Sequence, residues 1–269
     1  MKCSNCHSFV EDGKTFCPNC GAHLGGGNQK NAEAAAFGGF SIGKAARAQR
    51  LTALVSEDQL VSLRVYNCIL AAVVLWGVLV NYLLCRYVGN VLRFGISPVL
   101  FYIGYFACLI AGVIISGKSQ KPLISFLGYN LVVLPLGLVI ASAVSEYGGV
   151  DSEAVSEAFL YLLLISAGIT VAAIAFPQLF AKLGGALVGV LLGLIVCEVI
   201  LLLLGVHQMV TTWIAAVLFS LYLGYDIYRS QQFPKTVDNA VDCALDIYLD
   251  IANLFVRILS IVGRSKSDD

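Results

Sequence analysis

The chain has 269 residues, of which 58% are hydrophobic and only 13% are charged, and its 17 basic and 17 acidic residues balance to a formal net charge of zero. A soluble globular core does not need this much apolar sequence. The composition therefore predicts a polytopic membrane protein with a small polar appendage.

The polar start of the chain contains two cysteine pairs. Each pair has the spacing C-x2-C, and ten residues separate the two pairs; the four residues are Cys3, Cys6, Cys17 and Cys20. Four thiolates suit one tetrahedral zinc ion, which supplies the folding energy that a module of this size cannot obtain from a hydrophobic core. Residues 1–24 resemble the zinc-ribbon modules of many bacterial and archaeal proteins, so we expect structural zinc. A rubredoxin-like iron site and two redox-active dithiols are the alternatives.

The predicted zinc ribbon has no basic surface for nucleic acid. Lys2 and Lys14 are offset by Glu11 and Asp12, which favours a structural or protein-docking role and excludes nucleic acid as the expected partner. Residues 25–62 follow as a flexible linker rich in small and polar residues. Within it, residues 44–63 are either plain linker or an amphipathic helix at the membrane surface.

Six apolar stretches are long enough to cross the roughly 30 Å hydrocarbon core of a bilayer as helices. They are Val65 to Leu84, Ile96 to Ile115, Leu123 to Val144, Phe159 to Phe176, Leu183 to Leu204 and Val210 to Tyr228. A weaker seventh candidate runs from Cys243 to Val262. We therefore expect an all-α, seven-helix bundle over residues 63–264, with a semi-hydrophobic central last helix and a short tail at 265–269.

Basic residues predict that the N-terminus lies in the cytosol, and we expect the protein in a bacterial or archaeal cell membrane. The start is polar and cysteine-rich, without the features of a signal peptide. Positive charges flank the predicted inner ends of the spans, whereas Arg86 and Arg93 do not fit this pattern. The predicted outer loop between the third and fourth spans contains only acids among its charged residues, namely Glu146, Asp151, Glu153 and Glu157.

Two acids, Asp226 and Asp250, lie inside the last two apolar stretches. A charge at the bilayer centre costs roughly 2.5–3.5 kcal/mol on insertion scales, so such acids usually face a bundle interior and mark an ion or proton path. They are 24 residues apart, with the midpoint at Asp238 in the predicted turn, and an antiparallel hairpin brings them to similar depth. Two adjacent buried carboxylates favour one shared proton, as a pH sensor requires.

The last stretch has a polar face. At 100° per residue, one side of a helix carries Asp242, Asp246, Asp250, Asn253 and Arg257. This face predicts contact with neighbouring helices or water rather than with lipid. Glu198, in the fifth span, is either part of the same path or a protonated, inert acid. In a purely structural alternative, Asp226 and Asp250 pair with Arg257, Arg229 or backbone donors.

Two segments resemble the Bax inhibitor-1 family, also called the transmembrane Bax inhibitor motif or Lifeguard family. They are Leu223-Gly224-Tyr225-Asp226-Ile227-Tyr228 and Ala244-Leu245-Asp246-Ile247-Tyr248-Leu249-Asp250-Ile251-Ala252-Asn253-Leu254-Phe255. The resemblance implies a seven-helix bundle that acts as a pH-sensitive cation leak, chiefly for calcium, with Asp226 and Asp250 as its paired aspartates. The stretch from Ile96 to Ile115 lacks the family's basic residue, and Asp246 replaces a small or uncharged one.

These features predict a gated channel and no enzyme. A protonated aspartate pair closes the path, and deprotonation opens an acidic constriction. Two carboxylates supply at most four of the six to eight oxygens that calcium takes. Calcium is therefore expected as a transported ion and not as a tightly bound one. Tyr225-Asp226 matches one motif of intramembrane aspartyl proteases, but Asp250 lacks their Gly-x-Gly-Asp context. The remaining alternative is an interaction protein that modulates a membrane protease and docks through its zinc ribbon.

Overall fold

The computed structural model describes residues 59–88, 98–206 and 208–266, and these residues form seven helices. In chain order they are α1 Leu63–Tyr87, α2 Pro98–Lys118, α3 Pro122–Glu146, α4 Glu153–Ala175, α5 Pro177–Leu203, α6 Met209–Ser230 and α7 Val237–Ser265. The predicted zinc ribbon with Cys3, Cys6, Cys17 and Cys20 lies outside the described residues, as do residues 25–58 of the linker.

The described part of the chain is helical, as predicted. Helices α1, α3, α4, α5 and α6 are each long and apolar enough to cross a membrane, and α2 contributes the shorter apolar stretch Ile103–Lys118. Many large apolar side chains on these helices are exposed, which is the pattern of surfaces that contact lipid. Five long apolar helices are consistent with an integral, multi-pass membrane protein.

Helix α7 is too polar to count as a membrane span on hydropathy, yet it is the helix with the least exposure to the outside. Every one of its residues before Ser265 is buried or half-buried. The helix begins at Val237, six residues before the predicted start at Cys243. The reason is that the early polar residues Asp238 and Asp242 find serine partners, Ser125 and Ser116.

Helix α4 also begins earlier than predicted, at Glu153 instead of Phe159. The Ser152 hydroxyl caps it by accepting a hydrogen bond from the Val155 amide at 3.3 Å, and Glu153 in the first turn favours the positive end of the helix dipole. Glu153 and Glu157 therefore belong to the helix. The predicted acidic loop is correspondingly shorter.

The described residues divide into two compact units. The first contains the start of α1, the end of α2, the start of α3, the α6–α7 turn and the start of α7. Helices α2 and α3 approach closely here, because a Cβ atom added at Gly128 would lie 2.7 Å from the Ser116 amide nitrogen and 2.8 Å from the Gly112 carbonyl oxygen. Only glycine permits this backbone contact.

Backbone pairing joins the residues before α1 to the α6–α7 turn, also within the first unit. Leu60 and Thr236 form an isolated antiparallel bridge, and the Val61 amide donates to the Lys235 carbonyl at 2.8 Å. The Tyr66 hydroxyl adds a buried hydrogen bond to the Ser230 carbonyl at 2.9 Å. We call these contacts the turn clasp.

The second unit contains the end of α1, the start of α2, the later part of α3, all of α4 and α5, α6 up to Arg229, and the remainder of α7. Leu187 and Leu194 on α5 pack against three buried residues of α6. Glycines again set the spacing of these helices: a Cβ at Gly224 would lie 2.1 Å from the Phe180 ring, and one at Gly184 would lie 2.6 Å from the Tyr225 ring.

The end of α7 lies beside the connection between α3 and α4. Lys266 forms ion pairs with Glu153 at 3.1 Å and Glu157 at 3.0 Å, and Gly263 contacts the Tyr147 ring. Within the first unit, the start of α7 contacts α3 as well, because Ser125 donates a hydrogen bond to Asp238.

Lys235, in the turn clasp, makes the stability of the protein depend on pH. Its ammonium lies 4.6 Å from the Tyr66 ring centroid and donates to the Ser230 carbonyl at 3.2 Å. Burial lowers the pKa of Lys235 from 10.5 to about 8. Below about pH 8 the folded and unfolded chains both hold this proton, whereas between about 8 and 10.5 the unfolded chain binds more protons, so stability rises with pH there.

We predict that K235M raises the unfolding temperature at neutral pH and removes this rise. The free energy at stake is on the order of 3 kcal/mol, because the buried charge no longer has to be desolvated. Thermal unfolding in detergent across this pH range measures it, with K121M at an exposed lysine as the control. An alkaline rise that persists in K235M would contradict the prediction.

Candidate functional site

Carboxylates are concentrated in the interior of the protein on α6 and α7. The exposed fraction is 3% for Asp226, 6% for Asp250, 8% for Asp246 and 4% for Asp242. Ionised carboxylates are almost never buried to this degree unless they have partners. These acids are therefore the strongest candidates for a functional site in the described part of the chain.

Asp226 is buried where α5 and α6 are closest. It lies next to Tyr225, whose ring is against Gly184, and two residues after Gly224, which is against Phe180. Leu223 in the same turn is 1% exposed. A side chain fixed by such packing has little freedom to reorient, so Asp226 is held in a preorganised position.

The acids of α7 recur every four residues, at Asp238, Asp242, Asp246 and Asp250, so they lie along one face of the helix. The first two accept hydrogen bonds from serines: Ser125 Oγ donates to Asp238 Oδ1 at 2.7 Å, and Ser116 Oγ donates to Asp242 Oδ1. Hydroxyl donors stabilise the ionised form of a carboxylate. The face thus begins with acids whose partners come from α2 and α3.

The same face continues with Asn253 and Arg257. Asn253 Nδ2 donates to the Leu249 carbonyl at 2.7 Å, one turn earlier in α7. This local bond keeps the amide close to its own helix. Asn253 lies between Asp250 and Arg257 along the helix, on the side of α7 that carries the acids.

Arg257 forms a two-point ion pair with Glu198 of α5. The distances are 2.6 Å from Nη1 to Oε1 and 2.9 Å from Nη2 to Oε2, and the two side chains are 26% and 19% exposed. Glu198 therefore contacts the polar face of α7 through Arg257. Paired forks of this kind are among the stronger charged interactions in proteins.

Sequence reasoning missed the partners of these residues. Glu198 and Arg257 were both singled out, but 59 residues separate them and nothing in their local patterns connects them. The serines at 116 and 125 carried no signal, since serine is common in membrane helices. Small residues spaced near them, Gly112 and Gly128, do point to a close helix contact.

No resident metal site is apparent near the acids. Within 59–88, 98–206 and 208–266, no three His, Cys, Asp or Glu side chains are arranged to hold an ion. The acids instead form a row along one helix, and a row suits transient contact with a passing cation better than chelation.

The Glu198–Arg257 pair should couple α5 and α7 energetically. We predict that E198Q and R257Q each lower the free energy of unfolding by about 1–3 kcal/mol, because each leaves a partly buried charge unpaired. The double variant should cost less than the sum of the two. Unfolding in detergent measures these free energies. The control is K266Q, which removes ion pairs to the exposed Glu153 and the half-exposed Glu157. This variant should lower the free energy of unfolding by less than about 1 kcal/mol. Additive single effects would contradict the coupling.

Comparison with known proteins matches these helices to one family. The sequence model described as "Inhibitor of apoptosis-promoting Bax1" matches residues 58–267. Two uncharacterized proteins from Helicobacter pylori strains J99 and 26695 are 36% and 35% identical over 142 residues, which is 52% of this chain and 57% of each relative. The chain thus spans little more than half the length of these relatives.

A shorter match reaches a eukaryotic protein. Bax inhibitor 1 of Saccharomyces cerevisiae is 43% identical over 60 residues, which is 21% of this chain and 19% of the yeast protein. The family model covers every described helix. On that match, and with its five long apolar helices, this chain belongs to the Bax inhibitor family of membrane proteins.

Proposed function

We propose that the protein is a pH-sensitive leak for cations, chiefly calcium, in which Asp226 and Asp250 share a proton. The observation that carries this proposal is the burial of both carboxylates, 3% and 6% exposed, in the two helices that flank one turn. Family membership supports it at the level of a Bax inhibitor-type membrane protein.

The lengths of the helices are compatible with an approach of the two acids. Asp226 precedes the end of α6 by four residues and Asp250 follows the start of α7 by thirteen, which correspond to about 6 Å and about 20 Å of helix. The predicted midpoint at Asp238 is wrong as a turn, because Asp238 is helical. Residues 231–236 form the turn that connects the two helices, and the approach of the two acids is part of the proposal.

The protonation state of the pair would control the path. With one proton between them, the carboxylates hold α6 and α7 together by a hydrogen bond and the path is closed. Loss of that proton leaves two negative charges that repel each other and attract a cation. Flux therefore rises with pH in this mechanism.

The polar face of α7 continues the proposed path beyond the pair. A cation that leaves Asp250 along this face reaches Asn253 and then Arg257, about 10 Å further along the helix. The charge of Arg257 would repel it, but Glu198 neutralises that charge through two short bonds. We assign the Glu198–Arg257 pair to the proposed path as the group that keeps its far end passable to cations.

We predict that D226N and D250N each abolish the pH dependence of calcium flux into liposomes, because an amide cannot share or release the proton. Flux is measured with an enclosed calcium indicator at mildly acidic and mildly alkaline pH. The matched control is D151N, whose carboxylate is 85% exposed in the α3–α4 connection, and which should keep the full pH response. An unchanged response in D226N and D250N would rule out this mechanism.

We also infer that Cys3, Cys6, Cys17 and Cys20 bind one structural zinc ion and that this module docks a protein partner. The turn clasp supports a functional connection, because it joins the last residues of the linker to the turn between α6 and α7. As an alternative function, the protein is an adaptor that modulates a membrane protease, with the zinc ribbon as its docking module.

We predict that the purified full chain contains about one zinc per molecule by elemental analysis and that C17S/C20S removes it, since two thiolates do not close a tetrahedral site. The C68S variant, at an exposed cysteine of α1, should retain the metal. If the protein is a channel, C17S/C20S still conducts calcium; if it is only an adaptor, neither form conducts and the variant loses its partner. Zinc retained in C17S/C20S would contradict the assignment.

A further inference from the structure

We propose that the second unit contains a binding site for one acyl chain of a membrane lipid, between α1, α3, α4 and α7. A cavity of about 270 Å³ lies there. Its walls include Val78 and Cys85 of α1, Val144 of α3, Leu162 of α4, and Ala252 and Phe255 of α7. No family resemblance or comparison assigns this space to a ligand.

The size of the cavity leaves room for an occupant. Protein interiors contain few voids larger than a water molecule, and an unfilled one forfeits the packing of every side chain around it. The volume of about 270 Å³ exceeds that of the engineered apolar cavities of about 150 Å³ that take up benzene. An apolar molecule of several carbon atoms would restore the missing contacts.

The lining determines what that molecule can be. Most lining side chains are aliphatic or aromatic. The Tyr248 hydroxyl donates its hydrogen bond to Asn81 Oδ1 at 3.0 Å. Apolar cavities stay dry, so water is a poor occupant. At the depth of these membrane helices, the abundant apolar material is the hydrocarbon of lipid tails.

The cavity also opens to the outer surface of the protein. Two of its lining residues, Tyr82 of α1 and Phe159 of α4, are 52% and 44% exposed. Deeper lining residues such as Leu162 and Ala252 are buried, at 6% and 3%. The space therefore leads from the outer surface between α1 and α4 to the wall of α7, a shape that admits a flexible chain end-on.

The position of the cavity ties its occupant to α7. Tyr248, Ile251, Ala252 and Phe255 face the cavity, and on a helical wheel they are centred about 180° from the polar face. The acyl chain thus packs against the back of α7, not in the proposed ion path. The site stands whether or not the protein conducts ions.

Tryptophan quenching by brominated lipids tests the proposal in the full chain reconstituted in vesicles. Trp76 and Trp213 are first replaced by Phe, and one tryptophan is then introduced by F255W in the cavity wall. Two matched substitutions bracket the result: F106W, at a ring 57% exposed on α2, and F180W, at a ring 2% exposed between α5 and α6. We expect mid-chain bromine to quench F255W as strongly as F106W, and F180W hardly at all.

A second variant separates a chain inside the cavity from lipid outside it. Adding A252L to F255W fills the cavity with a larger side chain from α7. If the A252L variant does not fold, S156L fills the cavity from α4 instead. Either one should reduce the quenching of F255W to the F180W level, because the chain is displaced. Quenching of F255W at the F180W level from the outset, or quenching that persists after filling, would overturn the proposal.

Discussion

The structure depends on satisfying the polar side chains of α7 inside an apolar protein. Hydrocarbon offers no hydrogen bonds, so each polar group on a buried helix must find its partner within the chain. The Asp238 and Asp242 carboxylates receive hydroxyl donors from α3 and α2, Arg257 receives a carboxylate from α5, and Tyr248 reaches Asn81 of α1. In each unit, the polar residues of α7 therefore bond to two other helices.

Ion pairs also connect the ends of two helices to the α3–α4 connection. Arg86 at the end of α1 pairs with Asp151 at 2.6 Å, and Lys266 after α7 pairs with Glu153 and Glu157. The acids of this connection and of the first turns of α4 thus meet basic residues that are far from them in the sequence.

The sequence predicts the helices well and their mutual contacts poorly. Long apolar runs located the membrane helices to within six residues at either end, and α5 begins at Pro177 instead of the predicted Leu183. Helix starts at Glu153 and Val237 were missed because they depend on a cap at Ser152 and on distant serines. The Glu198–Arg257 pair and the cavity beside α7 arise only when helices far apart in sequence pack together, and no local pattern encodes that.

The turn clasp changes where the membrane part of the chain begins. Residue 62 is a natural boundary by composition, but a protein cut there would lose Leu60 and Val61 and would leave the Lys235 carbonyl and the Thr236 backbone without the partners they have here. Truncation is tolerated where backbone bonds are not broken. The smallest fragment with an intact α6–α7 turn therefore starts before Leu60, and a tag fused directly to α1 would alter the turn that leads into the acidic helix.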